Sequence, residues 1–151
     1  MHTRANVAYF GTFGYELDLN KLTDEEIAEV KAQIIFMKEY RELIQFGNFY
    51  RLKSPFDGNE TVWMTVSEDK RKALVFWYRE RNVVNAEFTR VRLQGLDPDL
   101  IYKNEYNGTE NYGDELMNLG LLTTDVTAGE PTNEDLPCTD YESRIYVLTA
   151  E

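Results

Sequence analysis

The chain is poor in the residues that build covalent or metal-bound sites. Its 151 residues include one cysteine, Cys138, and one histidine, His2. One cysteine cannot close an internal disulfide, and one cysteine with one histidine cannot supply a tetrahedral zinc set. Neither residue has a neighbour that would complete a catalytic triad, and the chain has no phosphate-binding or dinucleotide-binding glycine motif. We therefore expect no metal and no cofactor, and a cytoplasmic location.

Positive charge and long apolar runs are also scarce. The chain has 16 Lys and Arg residues against 27 Asp and Glu residues, which gives a formal net charge of -11. Phosphate binding needs clustered basic side chains, so the charge argues against a nucleic-acid partner. No apolar run is long enough to span a membrane, and the first residues are too polar for a signal peptide. We expect neither nucleic acid nor membrane as a partner.

One long amphipathic helix is the clearest element. Thr23-Asp24-Glu25-Glu26 has the pattern of a capping box, and Gly47 is a typical residue after a helix end. The apolar stripe between them consists of Ile27, Val30, Ile34, Met37 and Ile44, and it is widened by Phe36, Tyr40 and Leu43. The spacing predicts a helix over about Asp24 to Gln45.

Short β-like runs surround this helix. A strand is expected at Ala5–Phe10, before the helix. The runs after Gly47 are Phe49–Leu52, Thr61–Val66, Ala73–Tyr78, Ala86–Leu93 and Ser143–Ala150, separated by turns and by an acidic loop, Thr123–Asp140. Strands at this spacing are typical of an antiparallel sandwich. We expect an α+β, mainly β fold, in which one long amphipathic helix precedes an antiparallel β-sandwich.

Two acidic pairs are candidate sites. Glu16 and Asp18 lie two residues apart, so in an extended segment their carboxylates point the same way, as a glycosidase pair requires. The alternative is that they favour the N-terminal dipole of the following helix, and it is preferred. Asp114 and Glu115 offer oxygen ligands for a cation, but no spaced ligand set surrounds them, so a structured turn is preferred.

Aromatic residues offer a second kind of site. Four rings together offer a platform for sugar rings: Trp63, Trp77, Tyr78 and Tyr50. The alternative, which is preferred, is that these rings only pack within the sheet. The triplets Asn59-Glu60-Thr61 and Asn107-Gly108-Thr109 have the spacing of glycosylation sites, and we interpret them as turn residues.

Several runs of the chain together resemble one enzyme family. They are Arg4–Asp18, Tyr40-Arg41, Leu43-Ile44, Gly47–Leu52, Ser54-Pro55-Phe56, Gly95–Pro98 and Tyr112–Leu121. This pattern resembles the large bacterial α-galactosidases, glycoside hydrolases of family thirty-six. The resemblance covers nearly the whole chain, apart from the acidic loop.

The resemblance implies a position near the end of a larger architecture. Members of the family have an N-terminal β-supersandwich, a (β/α)8 barrel and a C-terminal antiparallel β-sandwich. On that plan residues 1–46 are the last strand and helix of a truncated barrel, and residues 47–151 are the C-terminal sandwich. The run Phe10–Leu19 would then be a barrel-to-helix connection.

The resemblance also implies a reaction mechanism, and this chain lacks the catalytic motif of that reaction. The family's reaction retains the anomeric configuration and uses two aspartates, one of them in a Lys-Trp-Asp motif. Here Met64 follows Trp63 and Tyr78 follows Trp77, so that motif is absent. No catalytic residue can be assigned, and we expect the chain to be inactive alone.

The expected function is that of a C-terminal part of an α-galactosidase acting on melibiose, raffinose and related oligosaccharides. The expected partners are the missing N-terminal and barrel domains, with homo-oligomers as a further expectation. Two alternatives stay open: a stand-alone sugar-binding module that uses Trp63, Trp77 or Tyr78, and a free-standing interaction protein.

Overall fold

The structure, a computed structural model, describes residues 2–82, 88–123 and 140–151. Its helices are α1 (His2–Ala8), α2 (Asp24–Phe46) and α3 (Gly113–Asn118), and a 3-10 turn spans Leu19–Lys21. Its strands are β1 (Asn48–Lys53), β2 (Glu60–Val66), β3 (Lys72–Arg79), β4 (Arg90–Val91), β5 (Ile101–Asn104), β6 (Glu110–Tyr112), β7 (Leu121–Leu122) and β8 (Glu142–Ala150). None of the helices in these ranges combines the length and the apolar character that crossing a bilayer requires.

Helix α2 confirms the predicted capping box. The Glu26 amide donates to Thr23 Oγ1 at 3.3 Å, and the Thr23 amide donates to Glu26 Oε2 at 2.9 Å. These bonds satisfy two of the amides that a helix start leaves unpaired. The helix ends at Phe46, one residue later than predicted, where the Gly47 amide donates to the Leu43 carbonyl at 3.0 Å.

Six strands form one antiparallel sheet in the order β1-β2-β3-β8-β5-β6. The C-terminal strand β8 lies in the middle, so it joins the first three strands to β5 and β6. The pairing places Tyr78 opposite Thr61 and Trp77 opposite Arg144. Strands β1, β2, β3 and β8 confirm four of the predicted runs.

One face of this sheet, which we call the closed face, is sealed by the chain itself. Its side chains Val62, Met64, Trp77, Tyr102 and Tyr146 are each at most 1% exposed. The short pair β4–β7 and helix α3 cover it, and the covering layer contributes Val91, Leu93, Leu96, Leu116 and Leu121. The sheet and this layer form a sandwich of unequal halves, so the fold is mainly β and antiparallel as expected.

The opposite face, which we call the helix face, is covered by α1 and α2. The sheet contributes Leu74, Phe76, Tyr78, Ile145 and Val147. The helices and the segment between them contribute Ala5, Tyr9, Phe10, Phe13, Phe36, Met37, Tyr40, Leu43 and Ile44. Every member of the predicted apolar stripe of α2 is buried or half-buried, which confirms the stripe. Outside the stripe, Ile35 is 63% exposed and Phe46 is 81% exposed.

The predicted strand at Ala5–Phe10 is wrong, because these residues belong to α1 and the turn that follows it. The Tyr9 amide donates to the Ala5 carbonyl at 3.0 Å, and both side chains are buried against the sheet. A strand needs a neighbour to pair its backbone groups, and none of the described strands pairs with this segment. A helix satisfies those groups internally.

The remaining strands were harder to predict. Of the predicted run Ala86–Leu93 the structure describes only the part from residue 88 onward, and only Arg90–Val91 pair as a strand. Strands β5 and β6 are four and three residues long, and neither was predicted. Residues 124–139, which make up most of the acidic loop and include Cys138, lie outside the described residues.

Candidate functional site

The structure divides the predicted platform aromatics between the two faces of the sheet, and Tyr50 packs against the core of the closed face. Trp77 lies on the closed face and is 1% exposed, whereas Trp63 and Tyr78 are half-buried on the helix face. Trp77 and Tyr78 are consecutive in β3, and consecutive side chains of a strand point to opposite faces. Because Trp77 has no accessible ring face, the prediction is corrected: Trp77 cannot belong to a sugar platform.

Charged side chains close the sheet around Trp77. The guanidinium groups of Arg79 and Arg144 lie 5.4 and 5.3 Å from the Trp77 ring centroid. Glu142 forms ion pairs with both arginines. Cations over an indole face are attracted by the ring quadrupole. Trp77 therefore packs against two arginines that share one carboxylate. Its Nε1 has no hydrogen-bond partner among the described residues.

Trp63 and Tyr78 remain together on the helix face. Their ring centroids are 5.5 Å apart in an edge-to-face arrangement, and the Phe10 ring lies 5.5 Å from Trp63 at 88°. A cleft of about 380 Å³ opens beside them, and its lining includes Val7, Pro55 and Thr61. Edge-to-face contact is the usual geometry of packed aromatic rings. The geometry favours packing as the main role of these two rings.

The hydroxyl group of Tyr78 is committed to the protein. It donates to the Asn6 carbonyl at 2.7 Å. Burial raises the pKa of Tyr78 well above the usual tyrosine range, so the phenol stays neutral and keeps its proton. A sugar hydroxyl in this cleft would have to compete with a backbone carbonyl for that proton. The platform stays a prediction and is reduced to Trp63 and Tyr78.

A polar network fastens α1 to strand β8. Asn6, which is 3% exposed, donates through Nδ2 to Ser143 Oγ at 2.9 Å. Ser143 donates to Thr3 Oγ1 at 3.1 Å, and Thr3 donates to the Tyr141 carbonyl at 2.9 Å. The Asn6–Ser143 contact joins positions 137 residues apart. The sequence carries no local signal for it, and this is the site contact that sequence reasoning missed.

A second cleft, of about 720 Å³, lies between α1, α2 and the start of β8. Buried Gln33 lines this cleft. Its backbone carbonyl accepts from the Tyr9 hydroxyl at 3.3 Å, its Oε1 accepts from Tyr15, and its Nε2 donates to Glu29 at 2.9 Å. Burial raises the pKa of Tyr9 to about 12, and Tyr15 and Glu29 add to the shift. These groups bond to one another, so they position the two helices.

Of the acidic pair Glu16 and Asp18, the structure engages Asp18 in local contacts. Asp18 caps the 3-10 turn, since its Oδ1 accepts from the Asn20 amide at 3.2 Å, and its other oxygen lies 3.7 Å from Lys21 Nζ. Both acids are exposed. A structural role was the preferred alternative for these acids and fits Asp18, although Asp18 caps the 3-10 turn and not α2. Glu16 lines a small cleft beside α1.

The other candidates also occupy structural positions. Asp114 and Glu115 form the first turn of α3. No group of three or more potential metal-binding side chains occurs in the part of the chain that the structure describes. His2 lies at the start of α1, where its Nε2 is 3.1 Å from Asn6 Nδ2.

Two family models match different parts of the chain. Residues 60–148 match the glycosyl hydrolase family 36 C-terminal domain, and residues 1–47 match the melibiase family. The first match contains most of the sheet and its covering layer, and the second contains α1 and α2.

Proteins similar to this chain are much longer than it is. Alpha-galactosidase AgaA of Geobacillus stearothermophilus is 49% identical over 121 residues, covering 80% of this chain and 16% of the relative. Alpha-galactosidase 1 of Pediococcus pentosaceus is 42% identical over 121 residues, with the same two shares. The chain thus spans about a sixth of these curated relatives.

Solved structures resemble the chain over almost its full length. The crystal structure of AgaA aligns with a TM-score of 0.86 and 42% identity, covering 99% of this chain and 19% of that one. The α-galactosidase of Lactobacillus brevis gives a TM-score of 0.86 and 41% identity, covering 99% and 20%. Since the C-terminal domain model spans more than half of the chain and the fold agrees, the chain belongs to glycosyl hydrolase family 36.

Proposed function

We propose that this chain is the C-terminal part of an α-galactosidase that hydrolyses terminal α-D-galactosyl residues with retention. One observation carries the proposal: the chain aligns over 99% of its length with α-galactosidase structures while covering only 19–20% of them. Variants of AgaA were crystallised with raffinose and with stachyose. These complexes support α-galactosyl oligosaccharides, such as raffinose and melibiose, as the substrate class of the whole enzyme.

The role proposed for this part is to pack on the catalytic barrel and support it. We assign residues 1–46 to the end of the barrel and residues 47–151 to the C-terminal sandwich. The end of α2 at Phe46 and the separate match of residues 1–47 to the melibiase model support this boundary. The self-contained closed face supports a sandwich that needs no partner on that side.

The chain is proposed to be inactive alone. It has no Lys-Trp-Asp motif, because Met64 follows Trp63 and Tyr78 follows Trp77. The acidic pair nearest to a catalytic spacing is exposed, and Asp18 is used as a cap. A retaining glycosidase needs one carboxylic acid and one carboxylate facing the same bond, and the use of Asp18 as a cap argues against such a pair with Glu16.

The proposed partner is the remainder of the same enzyme, and self-association is the alternative proposed for the isolated chain. Exposed apolar side chains on α2 and before it support such a surface: Ile35 is 63%, Phe46 81% and Leu19 57% exposed. The single cysteine supports a cytoplasmic location. A stand-alone sugar-binding module is not favoured, because Trp77 is buried and the Tyr78 hydroxyl is engaged.

The test is a reconstitution. The purified chain is first assayed alone for release of galactose from raffinose, and no release is expected. It is then added to AgaA from which the matching C-terminal segment has been removed, and galactose release is expected to return. Release by the chain alone, or a failure to restore activity with a folded chain, would contradict the proposal.

A matched pair of variants locates the surface. Ile35 on α2 and Leu119 beside α3 are both 63% exposed, so each serine substitution removes a similar exposed apolar surface. Ile35→Ser is expected to lower the restored activity at least severalfold, and Leu119→Ser to leave it close to that of the unsubstituted chain. Equal effects of the two variants would place the docking surface elsewhere.

A further inference from the structure

The turn between β5 and β6 contains an asparagine followed by a glycine. Asn107-Gly108 is the only such pair in the chain, and residues 105–110 are all exposed. Gly108 has φ +72°, and an added Cβ there would meet nothing within 4 Å. A glycine after asparagine leaves the backbone nitrogen open to the asparagine side chain, because no Cβ shields it.

The side-chain carbonyl of Asn107 is polarised by two donors from one residue. Thr109 donates to Asn107 Oδ1 through its amide at 3.1 Å and through its hydroxyl at 2.8 Å. Two donors on one carbonyl oxygen stabilise the negative charge that builds there when a nucleophile attacks the carbon. The turn therefore gives this amide carbon an arrangement like an oxyanion hole.

We propose that Asn107 is a site of spontaneous deamidation in the folded protein and that Thr109 promotes the reaction. The Gly108 nitrogen attacks Asn107 Cγ, so a new N–Cγ bond forms and the bond from Cγ to Nδ2 breaks. The departing NH2 group takes the proton from the Gly108 nitrogen and leaves as ammonia. Water then opens the cyclic imide at either carbonyl and yields aspartate or isoaspartate, each with one added negative charge.

One contact works against the reaction. The Gly108 amide donates to the Asn104 carbonyl at 2.8 Å, and this bond must break before the nitrogen can attack. Breaking it is a local event in an exposed turn, where such openings cost little free energy. We therefore expect conversion in the native state without global unfolding.

The product would change the neighbourhood of the turn. Tyr106, one residue earlier, packs edge-to-face on Tyr146 at 5.3 Å, and Arg144 lies 5.7 Å from its ring centroid. Isoaspartate adds a backbone atom between Tyr106 and Gly108. A shift of Tyr106 is therefore the expected structural result.

The experiment ages the full chain at mildly alkaline pH and follows each asparagine by peptide mapping and mass spectrometry. Asn107 is expected to gain about one dalton well before exposed Asn20 and Asn118, which precede residues with bulky side chains. Equal rates at the three positions would overturn the proposal.

Two variants at one position test the part assigned to Thr109. Thr109→Val removes the hydroxyl and keeps the shape, and it is expected to slow conversion about three- to tenfold, the range that one hydrogen bond supplies. Thr109→Ser keeps the hydroxyl and should stay near the original rate. An unchanged or faster rate in Thr109→Val would show that the bonds to Oδ1 restrain Asn107, which would overturn the assigned role.

Discussion

The two faces of the sheet are built from the same strands but are covered in different ways. On the closed face Val62, Met64 and Tyr102 are 0% exposed beneath β4, β7 and α3. On the helix face Phe10, Phe36 and other aromatic rings are only half-buried beneath α1 and α2. Close packing with few gaps is the normal state of a finished core. The chain covers the closed face more completely than the helix face, although Leu74 and Phe76 of the helix face are also 0% exposed.

The two faces also follow the two family models. Residues that cover the closed face lie within 60–148, whereas the helices on the helix face lie within 1–47. One covering layer therefore matches the same family model as most of the sheet, and the other layer matches a different family model. We therefore expect substitutions on the two faces to differ in their effect on the stability of the chain.

The largest expected effect is the loss of Trp77 from the closed face. Trp77→Ala is expected to lower the free energy of unfolding by about 3–5 kcal/mol, because it empties a fully buried site and uncovers the charges of Arg79 and Arg144. Trp63→Ala, on the helix face, should cost about half as much. Urea unfolding of both variants gives the comparison, and equal losses would mean that the two faces are equally packed.

A smaller effect is expected where α2 meets the sheet. A Cβ at Gly47 would lie 2.5 Å from the Leu43 carbonyl oxygen and 2.9 Å from that of Val66, so Gly47→Ala forces the backbone apart. We expect a loss of about 1–3 kcal/mol. Gly58→Ala is the control, because a Cβ there meets nothing within 4 Å. If thermal unfolding shows equal stability for the two variants, helix and sheet are not tightly joined at Gly47.

The smallest effect concerns alkaline pH and Tyr9 on the helix face. Burial raises the pKa of Tyr9 from 10.0 to about 12 in the folded chain. Because folding favours the neutral phenol, Tyr9 contributes to the free energy of unfolding. This contribution is complete below pH 10 and is lost as the pH rises towards 12. Tyr9→Phe should therefore lose less stability than the original chain across that interval.

Thermal unfolding at several pH values within that interval measures the difference. Other tyrosines with raised pKa values, such as Tyr78, are present in both proteins, so the difference between the two curves isolates Tyr9. Parallel curves would mean that Tyr9 ionises without loosening the helix face.

Much of the fold was predictable from local patterns. The capping box at Thr23 and the stripe of α2 are signals within a few residues, and so is the alternation in β2 and β3. Helix α1 was not predictable in this way, because its seven residues are held by contacts with β8, at the other end of the chain. Strands β5 and β6 are too short to show a period.

The platform shows which part of a site a sequence can predict. Once Ala73–Tyr78 is taken as a strand, the period of two already separates Trp77 from Tyr78. It does not say which of the two faces is sealed. That depends on β4, β7 and α3, whose packing over Trp77 comes from distant parts of the chain.

The contact between α2 and β2 near Gly47 has a consequence for fusing the genes of two such enzymes. The Leu43 carbonyl accepts from the Gly47 amide at 3.0 Å and from Thr65 Oγ1 at 2.9 Å, and Thr65 is completely buried in β2. Leu43 and Thr65 belong to segments that match different family models. A gene fusion with its crossover at Gly47 would divide this three-residue contact between two parents. Crossovers placed before Asp24 would keep helix and sheet as one inherited unit.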